Sequence, residues 1–355
     1  MFERRLQEVR RQLEKSRLDG LLISHLPHVR YLTGFTGSNA LCFISRRNQH
    51  FLTDHRYRDQ SKNEVSGFEI HISRIGLIEE AAKRRLMNRS HRIGFEGPHL
   101  SYSGFALLKK LVPGHLVSTQ SIVEDIAAVK DDNEVERIRR AVALSEKVFL
   151  RILRILRAGI RESDVAAEIT YWHRRYGAEG DAFEPIVASG VRGALPHVLA
   201  SYKKIKRGEL VTLDFGCRCD GYCSDVTRTV SIGRPGNRAR RIYGVVLDAQ
   251  RKAIASARPG MKASELDRVA RRHIAAKGFG KYFSHSLGHG LGIEIHEQLR
   301  LSGTSKAVLK SGNVVTVEPG IYIPGFGGVR IEDDIVIRPD GCEVLNAAEK
   351  ELIIL

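Results

Sequence analysis

Gly208-Glu209-Leu210-Val211-Thr212-Leu213-Asp214-Phe215-Gly216 and Gly312-Asn313-Val314-Val315-Thr316-Val317-Glu318-Pro319-Gly320 are two versions of one phrase. Each opens on a glycine, carries the apolar alternation of a β-strand, and sets an acid two residues before the closing glycine. Another pair of matched blocks precedes them in the same order. Arg157-Ala158-Gly159-Ile160-Arg161-Glu162-Ser163-Asp164-Val165 and Arg258-Pro259-Gly260-Met261-Lys262-Ala263-Ser264-Glu265-Leu266 both read as a helix end, a glycine turn and a new helix capped by serine. Two matches in one order at nearly equal offsets predict an internally duplicated domain.

After Asp214 the chain meets Asp220-Gly221, a strong turn signal, and resumes as Tyr222 to Ile232, so a hairpin is predicted. A loop over Arg218 to Gly221 would set Asp214 directly across from Asp225, with Cα atoms ~5 Å apart. In the second copy Glu318 descends into Pro324-Gly325-Phe326-Gly327-Gly328 and returns through Val329 to Ile337, which sets Glu332 opposite Glu318. Like charges opposed on a sheet destabilise it, and four carboxylates in a partly buried cleft would protonate unless a cation neutralised them. One Asp pair alone reads rather as a solvated hairpin. Its recurrence at equivalent positions favours divalent metal.

Histidines extend the pattern. His285, His289 and His296 lie within Ser284-His285-Ser286-Leu287-Gly288-His289-Gly290-Leu291-Gly292-Ile293-Glu294-Ile295-His296-Glu297, where glycines let the backbone pass close to a ligand. His197, in Ala194-Leu195-Pro196-His197, reads by itself as an ordinary loop histidine. Cys217, Cys219 and Cys223 are set aside as metal ligands, because strand parity turns Cys217 and Cys219 away from the face of Asp214.

Working outward, Asp131-Asp132-Asn133 offers an N-cap to a long helix through Val135, Ile138, Val142 and Leu144, so a second domain is expected over 125–355. Residues 1–124 alternate apolar runs with helical stretches, the rhythm of an α/β unit, and hold no convincing catalytic cluster. Hydrophobic residues make up 42% of the 355, which excludes a disordered chain. No segment approaches the ~18 uninterrupted apolar residues of a membrane helix, and the charged N-terminus argues against export. Five cysteines, an odd number, read as free thiols in a reducing cytosol. The net charge of +16 raises the question of nucleic acid, but the basic residues are dispersed and lack aromatic interleaving, so nucleic-acid binding is not expected.

With these residues collected, the C-terminal region resembles the α+β pita-bread domain of the M24 metallopeptidases, which include methionine aminopeptidase, aminopeptidase P, prolidase and creatinase. The resemblance rests on Asp214 in Leu-Asp-Phe-Gly, Asp225 in Ser-Asp-Val-Thr-Arg-Thr, His289 in Gly-His-Gly, Glu318 in Val-Glu-Pro-Gly and Glu332 in Arg-Ile-Glu-Asp. It implies a pseudo-two-fold fold holding two divalent metal ions, with Asp214 on one, His289 and Glu318 on the other, and Asp225 and Glu332 bridging. The N-terminal region is similar to the α/β domain of creatinase and aminopeptidase P, through Tyr31-Leu32-Thr33-Gly34-Phe35-Thr36-Gly37-Ser38 and Thr53-Asp54-His55-Arg56-Tyr57. That domain, with Phe183 to Gly190 and Val329 to Asp333, points to the Xaa-Pro branch.

Two metals a few Å apart can share a water, lower its pKa toward neutrality and aim hydroxide at the scissile carbonyl. The resemblance further implies that His296 and His197 stabilise the tetrahedral intermediate or position substrate and that Glu318 shuttles the proton, with His285 and Arg330 supporting the site. Carboxylate-rich ligation with one histidine suits manganese first, and also cobalt, zinc or iron. The expected partners are short proline-containing peptides and a second copy of the chain in a cytoplasmic homodimer. The competing readings are a pita-bread binding protein, ribosome or nucleic-acid associated, that has lost catalysis, and another peptidase of the same fold.

Overall fold

The computed structural model describes every residue except Met1, Arg89 and Pro113. Its contacts divide the chain into two units, Met1–Ala127 and Ala128–Leu355.

In the first unit, helix α1 (Phe2–Lys15) buries Leu6, Val9 and Leu13, three apolar residues at helical spacing. Strand β1 (Gly20–Ile23), helix α2 (Leu26–Thr33), β2 (Ala40–Ser45), β3 (Gln49–Asp54), α3 (Arg58–Glu64), β4 (Glu69–Ser73), α4 (Leu77–Lys83), β5 (Arg92–Glu96), α5 (Tyr102–Leu111), β6 (His115–Thr119) and α6 (Ile122–Ala127) follow. Among the described residues the strands form one sheet in the order β4-β3-β2-β1-β5-β6. It is mixed: β1 pairs antiparallel with β2 and parallel with β5. Helix α6 packs on α1 and α2, which carries this unit past the boundary expected at 124/125.

The second unit opens on α7 (Asp132–Leu153). Asp131 accepts the amide of Glu134 while the Glu134 carboxylate returns to the amide of Asp131, a complete capping box. Helix α8 (Glu162–Arg175) and strands β7 (Gly180–Asp181), β8 (Ile186–Ser189), β9 (Leu210–Phe215), β10 (Cys217–Cys219), β11 (Tyr222–Cys223) and β12 (Val226–Ser231) complete the first half. The second half has α9 (Asn237–Ser256), α10 (Ala263–Ala276), β13 (Gly288–Gly290), β14 (Glu297–Leu301), β15 (Val314–Val317), β16 (Gly320–Ile323), β17 (Gly327–Arg330), β18 (Asp333–Arg338) and β19 (Gly341–Val344). The serine caps expected on α8 and α10 do not form. Arg161 and Lys262 hold the cap positions, and since neither side chain can accept, only the return bond of the box is made, from Asp164 and Glu265.

The two halves build matching sheets, β12-β9-β8 and β14-β13-β15-β18-β19. Each rests on its own apolar core. Val148, Phe149, Ile152, Val165 and Ile169 of α7 and α8 pack under Val211, Leu213 and Phe215, and Ile242, Val246, Leu266 and Ala270 of α9 and α10 under Val315, Val317 and Ile335. Buried apolar layers of this kind fix the strands and hence the acids they carry.

Candidate metal centre

The first hairpin turns on Asp220 and Gly221, with φ 49° and 81°. Positive φ at both central residues is the type I′ geometry that an Asp-Gly pair favours in a two-residue loop, so Cys219 pairs with Tyr222. The four-residue loop expected from sequence is thus replaced by a tighter one, and the register moves by two residues. Asp214 stands opposite Thr227, and Asp225 precedes β12 on the same face as Thr227. In the second half Pro319 interrupts the strand between β15 and β16. The pairs on either side, Val317 with Asp333 and Gly320 with Arg330, keep the register that sets Glu318 against Glu332, as expected.

His289 comes from the middle of β13. A Cβ added at Gly288 would come within 2.0 Å of the Thr316 carbonyl oxygen, and one at Gly290 within 2.2 Å of the Gln298 carbonyl oxygen. Only residues without side chains let the strand pass here. The His289 amide donates to the Thr316 hydroxyl at 3.1 Å, and its Nδ1 lies 3.0 Å from the Gly290 carbonyl. A proton on Nδ1 then leaves the Nε2 lone pair facing the acids.

Nε2 of His289 lies 3.6 Å from Asp225 and 3.5 Å from Glu318. Asp225, His289 and Glu332 each offer one ligand atom within 4.8 Å of the others. Asp214 receives the guanidinium of Arg330. That arginine also donates to the Thr227 hydroxyl, the Tyr322 hydroxyl and the Pro196 carbonyl. Thr227 donates to Glu332 at 2.6 Å, Thr316 to Glu318 at 3.2 Å, and the Asp225 amide to Asp334 at 3.0 Å. Asp225 Oδ1 and Glu332 Oε1 are buried with no hydrogen-bond partner.

Burial, then the neighbouring carboxylates Glu332 and Asp214, pushes the Asp225 carboxyl well above its usual range. Burial followed by Glu318 and Asp214 does the same to Glu332. Glu318 is raised to about 8, chiefly by burial and against the pull of Arg330. Burial, with His296 second, lowers His289 to about 4, so its imidazole is neutral, the form that ligates metal. Orphaned acid oxygens facing a neutral imidazole fit divalent cations, and the oxygen-rich donor set suits hard to borderline ions. Thiolates do not compete: the five cysteines are free, and burial raises Cys217 to about 11 and Cys223 to about 12.

His289 and Glu318 line a cleft of about 770 Å³ together with His197, His285, His296 and Arg300. His296 places its ring centroid 4.3 Å from that of His289, yet it is exposed and outside the ligand cluster. His197 stands exposed at the rim. His285 meets the Tyr322 hydroxyl at 2.9 Å, which ties it through Arg330 to Asp214. Sequence reasoning singled out neither Thr227, Thr316 nor Tyr322. Strand parity with Asp225 and Glu318 marks the two threonines, whereas Tyr322 lies beyond the break at Pro319 and carries no such mark.

The second unit matches the model of metallopeptidase family M24 over residues 136–339, and the first matches the creatinase/prolidase N-terminal domain over 5–129. The chain is 45% identical to an uncharacterised peptidase of Bacillus subtilis (strain 168), over 99% of this chain and all of that one. A solved structure described as an Xaa-Pro dipeptidase from Bacillus anthracis superposes with a TM-score of 0.96 at 39% identity, covering 100% of both chains. An X-Pro aminopeptidase from Thermotoga maritima MSB8 gives 0.89 at 37% identity, covering 95% of this chain and 98% of that one. The chain belongs to metallopeptidase family M24, with a creatinase/prolidase-type domain ahead of its peptidase domain.

Proposed function

We propose that the chain is an exopeptidase that hydrolyses the bond between an N-terminal residue and a following proline, using two divalent ions. The observation that carries this reading is the set of buried Asp214, Asp225 and Glu332 with half-buried His289 and Glu318, at a cleft lined by His197, His285 and His296. Asp214 would serve one ion, His289 and Glu318 the other, and Asp225 and Glu332 both. Each proposed bridging acid keeps a buried oxygen without a hydrogen-bond partner, Asp225 Oδ1 and Glu332 Oε1, which suits that role. When bound, the metal pair makes water acidic enough to attack at neutral pH and polarises the scissile carbonyl.

The chain's own residues do the rest. Glu318 takes the proton of the attacking water and returns it to the leaving proline nitrogen. His296 and His197 both line the cleft and donate to the oxygen that gains charge in the tetrahedral intermediate. Arg330 and Tyr322 hold Asp214 and His285 in place. Manganese is the favoured ion, with cobalt, zinc or iron also suited to the donors. A cytoplasmic homodimer acting on short proline peptides completes the reading.

Relatives described as an Xaa-Pro dipeptidase and an X-Pro aminopeptidase support proline specificity and differ in the length of peptide taken. The test is a panel of Xaa-Pro, Xaa-Pro-Yaa and Xaa-Ala peptides, assayed after loading with each candidate metal. A site shaped for the rigid ring favours proline by about 10-fold or more in kcat/KM. Equal cleavage of Met-Ala-Ser and Met-Pro-Ser rejects proline specificity.

A further inference from the structure

The loop between β13 and β14, residues 291–296, brings His296 to the cleft, and the residue after it is held by a cation from the start of the same unit. We propose that Lys130, acting through Glu297, is a positioning residue for His296, an inference that rests on the peptidase reading above. The His296 ring is exposed and meets His289 edge-on with centroids 4.3 Å apart, so its aim depends on the backbone that carries it. Glu297 fixes that backbone. Its Oε1 accepts the Ile293 amide at 2.8 Å, which folds the carboxylate back across the loop. A Cβ added at Gly292 would come within 2.1 Å of the same oxygen, so the glycine is what lets the carboxylate lie there. The loop is tied a second time where the Gly292 carbonyl accepts the Cys223 amide at 2.7 Å, two residues before Asp225.

Lys130 holds the carboxylate in this place. Its Nζ lies 2.5 Å from Glu297 Oε2, and the pair is withdrawn from water, with the lysine side chain 1% exposed and that of the glutamate 10%. An ion pair out of water offsets its desolvation only in close geometry, so it fixes the carboxylate more firmly than a solvated pair does. The lysine is anchored in turn. Its amide donates to the Gly312 carbonyl at 2.8 Å, Val129 bridges to Asn313, and the Asn313 side-chain amide donates to the Ala128 carbonyl at 2.7 Å. Gly312 and Asn313 lead directly into β15 and on to Glu318. One short segment, 128–130, therefore sets the height of both the strand that carries Glu318 and the loop that carries His296.

The test uses the full chain loaded with manganese and an Xaa-Pro peptide of the panel above. In Lys130→Met kcat should fall about 10- to 100-fold, the cost of a displacement near 1 Å, with KM within about three-fold and the metals retained. Lys130→Met/His296→Ala should be slower than His296→Ala by no more than about two-fold, since the lysine acts only through that ring. Should Lys130→Met fail to fold because Glu297 is left as a buried unpaired charge, Lys130→Met/Glu297→Gln removes both charges and should show the same fall in kcat. A readout without substrate separates this inference from the peptidase reading. The His296 ring resonance, assigned by its loss in His296→Ala, should move in the Lys130 variants while those of His50 and His71 in the first unit stay. If the parent cleaves no Xaa-Pro peptide, the peptidase reading fails and the resonance still decides the positioning. Parental kcat in the Lys130 variants, losses that multiply when His296→Ala is added, metal lost with the lysine, or an unmoved His296 resonance overturns the proposal.

Discussion

Glu332 and Asp333 are neighbours in sequence, almost wholly buried, and opposite in circumstance. Asp333 is neutralised by the fold itself: Arg228 at 2.8 Å and Lys350 at 2.7 Å supply charge, and the Gln250 amide donates at 2.7 Å. Glu332 receives one hydroxyl, from Thr227, and otherwise faces other acids, with one oxygen unpartnered. A buried carboxylate costs several kcal/mol unless something compensates it. Behind the strand the chain supplies the compensation, and on the cleft side it leaves the requirement open for ions. Glu332 is marked as a candidate ligand by the cations withheld from it.

The largest effect should come from breaking the cleft side. Glu332→Ala removes an anion proposed to serve both ions, so at least one metal equivalent should be lost and activity should fall by more than about 100-fold. Elemental analysis finding two tightly held metals in that variant, or in Asp225→Ala, would sink the bridging assignment. The matching change behind the strand should act on stability. Asp333→Ala leaves Arg228, 2% exposed, without its charged partner, and should cost about 3–5 kcal/mol in denaturant unfolding while the folded fraction keeps its metals. A stable but metal-poor variant would mean that the two sides are one network.

His296→Ala should separate chemistry from ligation. Its metals should stay, with kcat down roughly 100-fold, the loss of one transition-state hydrogen bond. Metal lost with the ring would make it a ligand instead. The smallest effect sharpens the contrast without mutation. In metal-free protein Glu318 titrates near 8 in the folded state against an ordinary 4.5, so between those values the folded chain holds more protons than the unfolded one. Stability must therefore fall as pH rises through that window, by up to about 1.4 kcal/mol per pH unit for each such group. Calorimetry of metal-free protein between pH 5 and 8 should show the midpoint falling, and reloading should remove the slope. A flat metal-free profile contradicts the electrostatic account.

Much of this was legible in the sequence, because the acids recur at equivalent places in a duplicated pattern and strand alternation assigns them a face. The first hairpin departs from its sequence pattern. From sequence Asp220-Gly221 reads as the end of a four-residue loop, although both residues tolerate positive φ and together close a two-residue one. The tighter turn moves Asp225 off the position opposite Asp214 without changing its face, since two residues is one full strand period. The basic compensation of Asp333 was invisible. Arg228, Gln250 and Lys350 come from three distant segments, and only packing brings them to one carboxylate. The same holds for Lys130 and Glu297, which only the fold brings together.

The glycines flanking His289 have a consequence for how this sequence can drift. Neither Gly288 nor Gly290 has room for a methyl group against the backbones of Thr316 and Gln298. In Gly-His-Gly the only position where a side chain can be exchanged without displacing a neighbouring strand is therefore the histidine. Substitutions that spare the architecture fall on the ligand, and those that spare the ligand disturb the architecture. A surviving lineage would change this triplet in one step, by giving up the centre, or not at all.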